Sequence, residues 1–262
     1  MLAAIAAVGI AAGCAPPTQR DAQAAFDDAF AAFQAGHWQR AYDGFTRYLR
    51  SGPARQGDAV ASPEATSRGE VYYYRGEALA HLRRRDEAMA DFQRALAVNP
   101  PQPVLDFVRV AIGNFYYEEG NDAKALEWYN LALRDPVPQL PMDQLSLRAG
   151  VSLQRVGRWA DADKYFQHLI DNYPATAAAM EARRRIHATA FAVQAGAFTT
   201  AAAAQQEAAR LRQKGFEGRI VPASRPGQTL QAVQVGRART YAEAQALAQR
   251  LMSAGFSTLI VP

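Results

Sequence analysis

Side chains capable of covalent or metal chemistry are few in this chain and lie far apart in its sequence. The single cysteine, Cys14, can form neither an internal disulfide nor a zinc site built from cysteines. The four histidines are scattered rather than spaced as metal ligands: His37, His81, His168 and His187. The sequence contains no G-x-S-x-G or H-E-x-x-H motif and no phosphate-binding loop. These observations predict a protein that is not an enzyme and that uses no metal or cofactor.

Two glutamines, Gln194 and Gln234, stand at the same place in two copies of one segment. Residues 191–222 and 231–262 are identical at 16 of 32 positions when they are offset by 40 residues. Each copy has a short alternating strand, an Ala-rich amphipathic stretch that predicts a helix, a Gly stop and a second apolar strand. The duplication predicts a ferredoxin-like β-α-β-β-α-β domain, with a four-stranded antiparallel sheet and both helices on one face.

Strand alternation predicts which side chains face the helices and which face away from them. The helix side is expected to receive Phe191, Val193, Ala195, Val233 and Val235. The open face is then lined by Ala192, Gln194, Gly196, Ala232, Gln234 and Gly236. On such a face amides bond the hydroxyl and acetamido groups of a sugar chain, Phe198 packs on a pyranose ring, and Arg237 or Arg239 meets carboxylates. A second interpretation stays open, in which both glutamines are merely polar residues on a solvated sheet face.

The two copies resemble the SPOR domain, a module of bacterial envelope proteins. The resemblance rests on residues 191–198, on residues 232–236 and on the Leu-x3-Gly-Phe endings, and it covers residues 187–262. It implies binding of peptidoglycan, especially of glycan strands that have lost their peptides. The implied glycan-binding residues are Gln194, Ala197, Phe198, Thr199 and Gln234, together with Arg237 at the strand end. Two places depart from the family: Ala197 stands where Ser is frequent, and Arg237-Ala238 stands where Pro-Phe is frequent.

Residues 21–186 contain four blocks that share one pattern of small and aromatic residues. In each block a small residue on one predicted helix lies opposite an alanine on the next, and an aromatic residue follows one turn later. The second block shows the pattern as Gly76, Ala88, Phe92, Ala95 and Pro100. The blocks resemble the tetratricopeptide repeat, which implies an all-α solenoid with a concave protein-binding face. Arg83 replaces the usual turn glycine, and residues 52–65 form an insertion expected to be a flexible loop.

The first helices of the repeats carry the side chains expected to line the protein-binding groove. They are Tyr72, Arg75, Arg109, Asn114, Tyr117 and Arg148. Tyrosines at helical spacing also fit a packed core, so both interpretations stay open. Trp38 and Trp159 occupy matching positions after two hairpin turns, where packing is the expected role.

Residues 1–14 have the pattern of a targeting segment. Residues 1–13 are an uncharged run of small and aliphatic residues that is too short to cross a bilayer as a helix. The run ends in Ala-Ala-Gly-Cys, which resembles the lipidation box of bacterial lipoproteins. That resemblance implies a lipidated Cys14, a short linker at 15–20 and anchoring to the outer membrane from the periplasm. Signal cleavage after Ala15 and a free cysteine are the alternatives.

Positive charge is concentrated in the C-terminal segment. Residues 187–262 hold 8 Lys and Arg against 3 Asp and Glu, in a chain of net charge +4, and this favours an anionic partner. A nucleic-acid partner is not predicted, because the central strands carry Gln and Gly where RNA-binding sheets carry aromatic residues.

The predicted function is that of an envelope adaptor. Its sheet domain binds peptidoglycan, its repeats bind envelope or cell-division proteins, a lipid holds it to the membrane, and it acts in cell division or wall remodelling. The alternative is an assembly scaffold built on the repeats, in which the sheet domain only places the protein.

Overall fold

The computed structural model describes residues 19–50, 68–225 and 227–262. The chain divides into two compact units, Met1–Ala111 and Ile112–Pro262. The predicted targeting segment with Cys14, most of the predicted linker and the predicted insertion at 52–65 lie outside the described residues. Within the described ranges, no helix combines the length and the apolar character needed to span a membrane.

Nine helices precede the sheet in the described part of the chain. They are α1 (Gln19–Gln34), α2 (Trp38–Arg50), α3 (Arg68–His81), α4 (Arg85–Ala97), α5 (Gln102–Glu118), α6 (Asp122–Leu133), α7 (Met142–Arg155), α8 (Trp159–Asn172) and α9 (Ala177–Arg185). The first eight form four consecutive hairpins, as the repeated blocks predict. The sequence reasoning did not predict α9 as a separate helix; it begins where the Thr176 hydroxyl accepts a hydrogen bond from the Ala179 N–H at 3.2 Å.

Small residues let the two helices of a hairpin touch, and this explains the spacing seen in the blocks. A Cβ placed on Gly76 would lie 2.6 Å from the ring of Phe92, so only glycine fits there. The same close approach recurs at Gly44 against Ala29, Gly113 against Tyr129 and Gly150 against Phe166. The rings of Phe92, Tyr129 and Phe166 are fully buried and form the centres of their hairpins.

The hairpin turns require a left-handed backbone at one residue. Gly36, Gly120 and Gly157 hold it at φ 73°, 73° and 82°, and Arg83 holds it at φ 62°. The departure noticed in the second block is therefore a substitution at the turn position itself, and an arginine there adopts a conformation that costs free energy in any residue except glycine.

The C-terminal part of the second unit is a four-stranded antiparallel sheet covered by two helices. Its elements are β1 (Phe191–Phe198), α10 (Ala201–Gln213), β2 (Gly218–Arg225), β3 (Gln228–Ala238), α11 (Tyr241–Ser253) and β4 (Leu259–Val261). The strand order is β2-β3-β1-β4, which confirms the predicted ferredoxin-like fold.

The core of this domain lies between the sheet and its two helices. Val193, Val233 and Val235 of the central strands pack against Leu211 of α10 and Leu251 of α11. The hydroxyls of Thr200 and Thr240 accept the first hydrogen bonds of the two helices, so the duplicated residues build matching N-caps. The predicted helix-side placement of the valines is confirmed.

Candidate functional site

A row of four side chains crosses the sheet on the face opposite α10 and α11. Gln194 and Gln234 are direct partners in the β1–β3 ladder. Leu259 pairs with Gln194 in the β1–β4 ladder, and Arg219 pairs with Gln234 in the β2–β3 ladder. Directly paired residues of neighbouring strands share a face. We call Leu259, Gln194, Gln234 and Arg219 the cross-strand row, and the face that carries it the amide face.

The cross-strand row is accessible and is internally ordered at one end. The Arg219 guanidinium donates a hydrogen bond from Nη2 to Oε1 of Gln234 at 3.2 Å. Arg219 and Leu259 are exposed, the latter by 57%, whereas both glutamines are half-buried. Because the carbonyl of Gln234 accepts from Arg219, its NH₂ group remains a donor for a ligand. Sequence reasoning predicted the glutamines but missed Arg219, since only the register between β2 and β3 brings it beside Gln234.

The rest of the amide face is less open than predicted. Ala192, Leu230 and Ala232 share the face with the glutamines, yet all three are buried. The exposed part of the face is therefore the cross-strand row and its surroundings rather than the whole sheet. Ala197 pairs with Ala232 and is half-buried beside the row.

Two β-bulges move the two duplicated glycines, Gly196 and Gly236, to the helix side, so their predicted place on the open face is wrong. The register shifts between Gln194 and Gly196, and after the shift Gly196 pairs with Val233, a helix-side residue. A second shift lies opposite Gly236, whose φ is 75° and whose missing Cβ would meet Leu247 of α11. Strict alternation fails at both points because a bulge adds one residue to one strand.

Phe198 follows Gly196 to the helix side, so its predicted contact with a sugar ring from the open face is also wrong. Its ring packs against the core cluster of Val193 and Leu211 and occupies the space of a Cβ on Gly196, at 2.7 Å. Thr199 is exposed in the bend that follows the strand, directly before the N-cap of α10. The bulge is the physical cause of the change, because it reverses the face of every later residue in β1.

Of the two arginines predicted to meet carboxylates, Arg237 has a side-chain partner and Arg239 is bonded through its backbone. Arg237 is exposed at the bulge of β3 and donates from Nη2 to the Thr189 hydroxyl at 3.0 Å. The backbone N–H of Arg239 donates to the Glu243 carboxylate at 2.8 Å. Arg219 is the arginine that lies in register with the amides.

Electrostatics favour an anion or a polar ligand at the amide face. Arg219 lies on this face, and the four strands contain no Asp or Glu. Two of the domain's acidic residues are on the helices, where Glu207 pairs with Arg210 and Glu243 accepts a hydrogen bond from the backbone N–H of Arg239. Within the described residues, no group of three or more His, Cys, Asp or Glu side chains is arranged to hold a metal ion.

Three of the predicted groove residues lie in the first unit and make contacts within it. Arg75 forms a buried ion pair with Asp91 at 2.6 Å, and its guanidinium lies 5.6 Å from the ring centroid of Tyr72. Arg109 pairs with the buried Asp106 at 2.9 Å. All three groove side chains remain half-buried, so the contacts orient them without removing them from the surface.

The other three predicted groove residues lie in the second unit. Asn114 accepts a hydrogen bond from the hydroxyl of buried Tyr129 at 2.9 Å, and burial raises the pKa of that phenol. The guanidinium of Arg148 lies 5.4 Å from the ring centroid of Tyr117. Asn114 therefore has a packing role in its hairpin, whereas Tyr117 and Arg148 form a half-buried pair at the surface.

The turn between α7 and α8 packs directly against the sheet domain within the second unit. The indole Nε1 of Trp159 donates to the carbonyl of Arg239 at 3.0 Å, and its ring centroid lies 4.8 Å from that of Phe191. A Cβ on Gly157 would lie 3.2 Å from the same carbonyl. Phe191 also meets the ring of Tyr241 at 5.5 Å. We call these five residues the joint. The sequence predicted that Trp159 packs in the structure, but it did not predict that Trp159 packs against the sheet domain.

Arg155 extends the joint towards the predicted groove. Its guanidinium lies 4.7 Å from the ring centroid of Tyr117 and 5.1 Å from that of Tyr241, so it is placed between two tyrosines. It also pairs with Asp122 at 3.4 Å. Burial raises the pKa of the Asp122 carboxyl, and this effect outweighs the opposing attraction of Arg155.

Comparison with family models identifies both parts of the chain. A SPOR domain model matches residues 188–262, and two tetratricopeptide repeat models match residues 69–101 and 144–176. The matched repeats correspond to the hairpins α3–α4 and α7–α8. The chain therefore carries a SPOR domain after tetratricopeptide repeats, and both are binding domains rather than catalytic ones.

Solved structures that resemble the chain share little sequence with it. MamA AMB-1 is 18% identical with a TM-score of 0.47, over 64% of this chain and 80% of that one. PilF of Pseudomonas aeruginosa is 16% identical with a TM-score of 0.49, over 63% and 66%. A tetratricopeptide repeat protein from Parabacteroides merdae is 15% identical with a TM-score of 0.48, over 63% and 58%. No curated protein matches the chain.

Proposed function

We propose that this protein is a non-enzymatic adaptor of the bacterial envelope that binds peptidoglycan glycan strands through the amide face of its SPOR domain. SPOR domains form a peptidoglycan-binding family and occur in envelope proteins. The observation that carries the proposal is the pairing of Gln194 with Gln234 at the centre of the sheet. Paired amides present donors and acceptors side by side, which suits the hydroxyl and acetamido groups of a sugar chain.

The glutamines can be tested against a matched pair in the same domain. The full chain is sedimented with sacculi whose peptides have been removed by an amidase. We expect Gln194→Ala/Gln234→Ala to weaken binding about tenfold, since each substitution removes amide hydrogen bonds at the ligand. Gln205→Ala/Gln245→Ala is the control, because these glutamines are also duplicated but lie exposed on α10 and α11. Equal binding by wild type and the Gln194/Gln234 variant would refute the proposed site.

Further contacts around the row complete the proposed glycan site. Ala197 lies on the amide face, and Thr199 and Arg237 are exposed near the ends of β1 and β3. Phe198 is left out of the proposed contacts, because its ring packs on the helix side. The row offers its amide and guanidinium donors to peptide-stripped strands, whose sugars are accessible along their length.

For the repeats we propose a protein-binding role, as repeats of this family form such surfaces. Tyr72, Arg75 and Arg109 are the proposed contacts in the first unit, and Tyr117 and Arg148 are those in the second. Asn114 is proposed only as a support for Tyr129, to which it is hydrogen-bonded. The partner class is an envelope or cell-division protein.

The scaffold alternative is favoured by the extent of the repeats, which fill most of the described chain. In that case the SPOR domain only localises the protein. Cells lacking the protein would receive the Gln194→Ala/Gln234→Ala variant fused to an independent peptidoglycan-binding domain. Full restoration of cell shape and division would support the scaffold, and failure of this fusion beside a functional wild-type fusion would support the adaptor.

We also propose that Cys14 is lipidated and holds the protein to the outer membrane, facing the periplasm. The support is the sequence pattern of residues 1–14, with the SPOR domain as a second indication of an envelope location. The mass of the purified protein and its membrane fractionation test this directly. A Cys14→Ala variant with unchanged mass and fractionation would refute it.

A further inference from the structure

The two ends of the cross-strand row differ in chemistry although they come from the same position of the duplication. Arg219 and Leu259 are 40 residues apart, as are Gln194 and Gln234. The duplicated fold therefore builds a row that is symmetric in position but not in character: an exposed apolar side chain, two amides and a guanidinium. A ligand lying along this row meets a cation at the β2 edge and an apolar group at the β4 edge.

Arg219 has the donors to recognise a carboxylate. A guanidinium carries five N–H donors in a planar fork that matches a carboxylate, and Arg219 uses one of its nitrogens on Gln234. Among the ion pairs between described residues, none involves Arg219. Its hydrogen bond to Gln234 fixes the side chain beside the amides, which lowers the entropy cost of using the remaining donors.

We propose that Arg219 binds a free carboxylate on the glycan, and that this contact makes the site selective for strands without peptides. The inference rests on the proposed function. When a stem peptide is removed from its sugar, the lactyl group regains a carboxylate, whereas a sugar that carries its peptide has an uncharged amide at that point. A guanidinium in register with the sugar-binding amides distinguishes the two, because only the carboxylate accepts a charge-assisted hydrogen bond with full ion pairing.

Register separates Arg219 from Arg237 and Arg239, the two arginines that the sequence placed near the strand end. Arg237 stands at the bulge, where its guanidinium bonds Thr189, and Arg239 lies beyond the end of β3, outside the ladder that aligns Arg219 with the amides. The carboxylate contact is therefore assigned to the β2 edge of the row. Leu259 marks the opposite edge, where the row offers no charge.

The test measures binding of the full chain to three soluble glycan preparations. The first is amidase-released strands, the second is the same strands with their carboxylates coupled to methylamine, and the third is strands that keep their peptides. We expect wild type to bind the first about tenfold more tightly than the second or the third, in line with one charge-assisted hydrogen bond. Arg219→Leu should bind the first and second preparations equally, because leucine has neither the charge nor the donors that distinguish a carboxylate from an amide.

A matched control keeps the change of charge but moves it to the other side of the domain. Arg212 is exposed on α10, so Arg212→Leu lowers the net charge equally without touching the amide face. It should retain the wild-type preference. Thermal unfolding of both variants verifies that they are folded.

The outcomes separate this inference from the proposed function. If wild type binds the first and second preparations equally, or if Arg219→Leu keeps the preference, the carboxylate contact is wrong while glycan binding stands. If Arg212→Leu loses the preference as Arg219→Leu does, general charge attraction explains it and the assignment to Arg219 is wrong. If wild type binds none of the three preparations, the proposed function itself is wrong.

Discussion

At the scale of single residues, Arg83 holds a strained backbone conformation in a turn that glycine makes without strain. Its φ of 62° is in the left-handed region, where the equivalent turns have Gly36, Gly120 and Gly157. We expect Arg83→Gly to raise the free energy of unfolding by about 1 kcal/mol, because the left-handed penalty of a residue with a Cβ disappears. Thermal and urea unfolding measure the change.

The reverse substitution at a matched turn is the control for this prediction. A Cβ on Gly120 would meet nothing within 4 Å, so Gly120→Ala changes the backbone preference and little else. It should lower the free energy of unfolding by about 1 kcal/mol. No gain in stability from Arg83→Gly, beside a loss from Gly120→Ala, would mean that Arg83 makes a compensating interaction in its turn.

Individual site residues were predictable where the duplication repeats them and unpredictable where the strands are irregular. Gln194 and Gln234 stand at equal positions in both copies, and their shared face followed from alternation. Gly196 and Phe198 come after a bulge, which alternation cannot foresee. Arg219 has no equivalent arginine in the other copy, since Leu259 takes its place, so no repeated signal pointed to it.

At the scale of elements, the joint makes the SPOR domain depend on α8. Trp159→Ala removes both the ring contact with Phe191 and the hydrogen bond to Arg239. We expect it to lower the free energy of unfolding by about 3 kcal/mol. Trp159→Phe keeps an aromatic ring but leaves the Arg239 carbonyl without this donor. It should lower the free energy of unfolding by about 1 kcal/mol. Hydrogen exchange should rise at the start of β1 and at the N-terminus of α11.

Trp38 provides the control, because it occupies the matching position in an earlier repeat. Its ring stacks on His81 with centroids 3.8 Å apart, inside the first unit. Trp38→Ala should therefore destabilise the repeats without raising hydrogen exchange in β1 or α11. Faster exchange in the sheet after Trp38→Ala, or unchanged exchange after Trp159→Ala, would contradict the joint.

Within the SPOR domain, the helix of each duplicated segment contacts the Gly-Phe ending of the other segment. Arg210 of α10 lies 4.6 Å from the ring centroid of Phe256, and Arg250 of α11 lies 5.7 Å from that of Phe216. The two phenylalanines meet at 6.2 Å. The Gly-Phe endings were read from the sequence as a family motif, and the structure shows that each one packs against the helix of the other copy.

At the scale of the whole molecule, the joint changes how a deletion should be interpreted. Removal of residues 187–262 takes Phe191 and Tyr241 away from Trp159 and Arg155. We expect the thermal midpoint of the remaining helices to fall by roughly 6–12 °C, the equivalent of about 3 kcal/mol of lost contacts. Far-UV circular dichroism, which reports helix content, follows the transition.

An unchanged midpoint after the deletion would show that the repeats do not rely on the SPOR domain. If the thermal midpoint falls as expected, loss of binding by the deleted chain would not show whether the SPOR domain or the destabilised repeats were responsible. The point variants Gln194→Ala/Gln234→Ala and Arg219→Leu are therefore the cleaner tests, because their side chains are at the surface and leave the joint intact.

The domain plan was predictable because both parts are repetitive. Periodic small and aromatic residues indicated the hairpins, and a copied segment indicated the sheet. The contact between Trp159 and Phe191 was not predictable from the sequence. It links a helical repeat to the sheet domain and occurs only once, so neither repeated pattern carries a signal for it.

The strand order also determines when the protein can finish assembling. β1 lies between β3 and β4, and β4 is formed by residues 259–261. Helical hairpins close from neighbouring residues as the ribosome releases them, whereas β1 lacks one neighbour until almost the entire domain has been made. A chain halted before that point presents an unpaired strand edge, which is a template for aggregation. Newly made chains therefore keep the start of β1 unpaired on one side until residues 259–261 have been made.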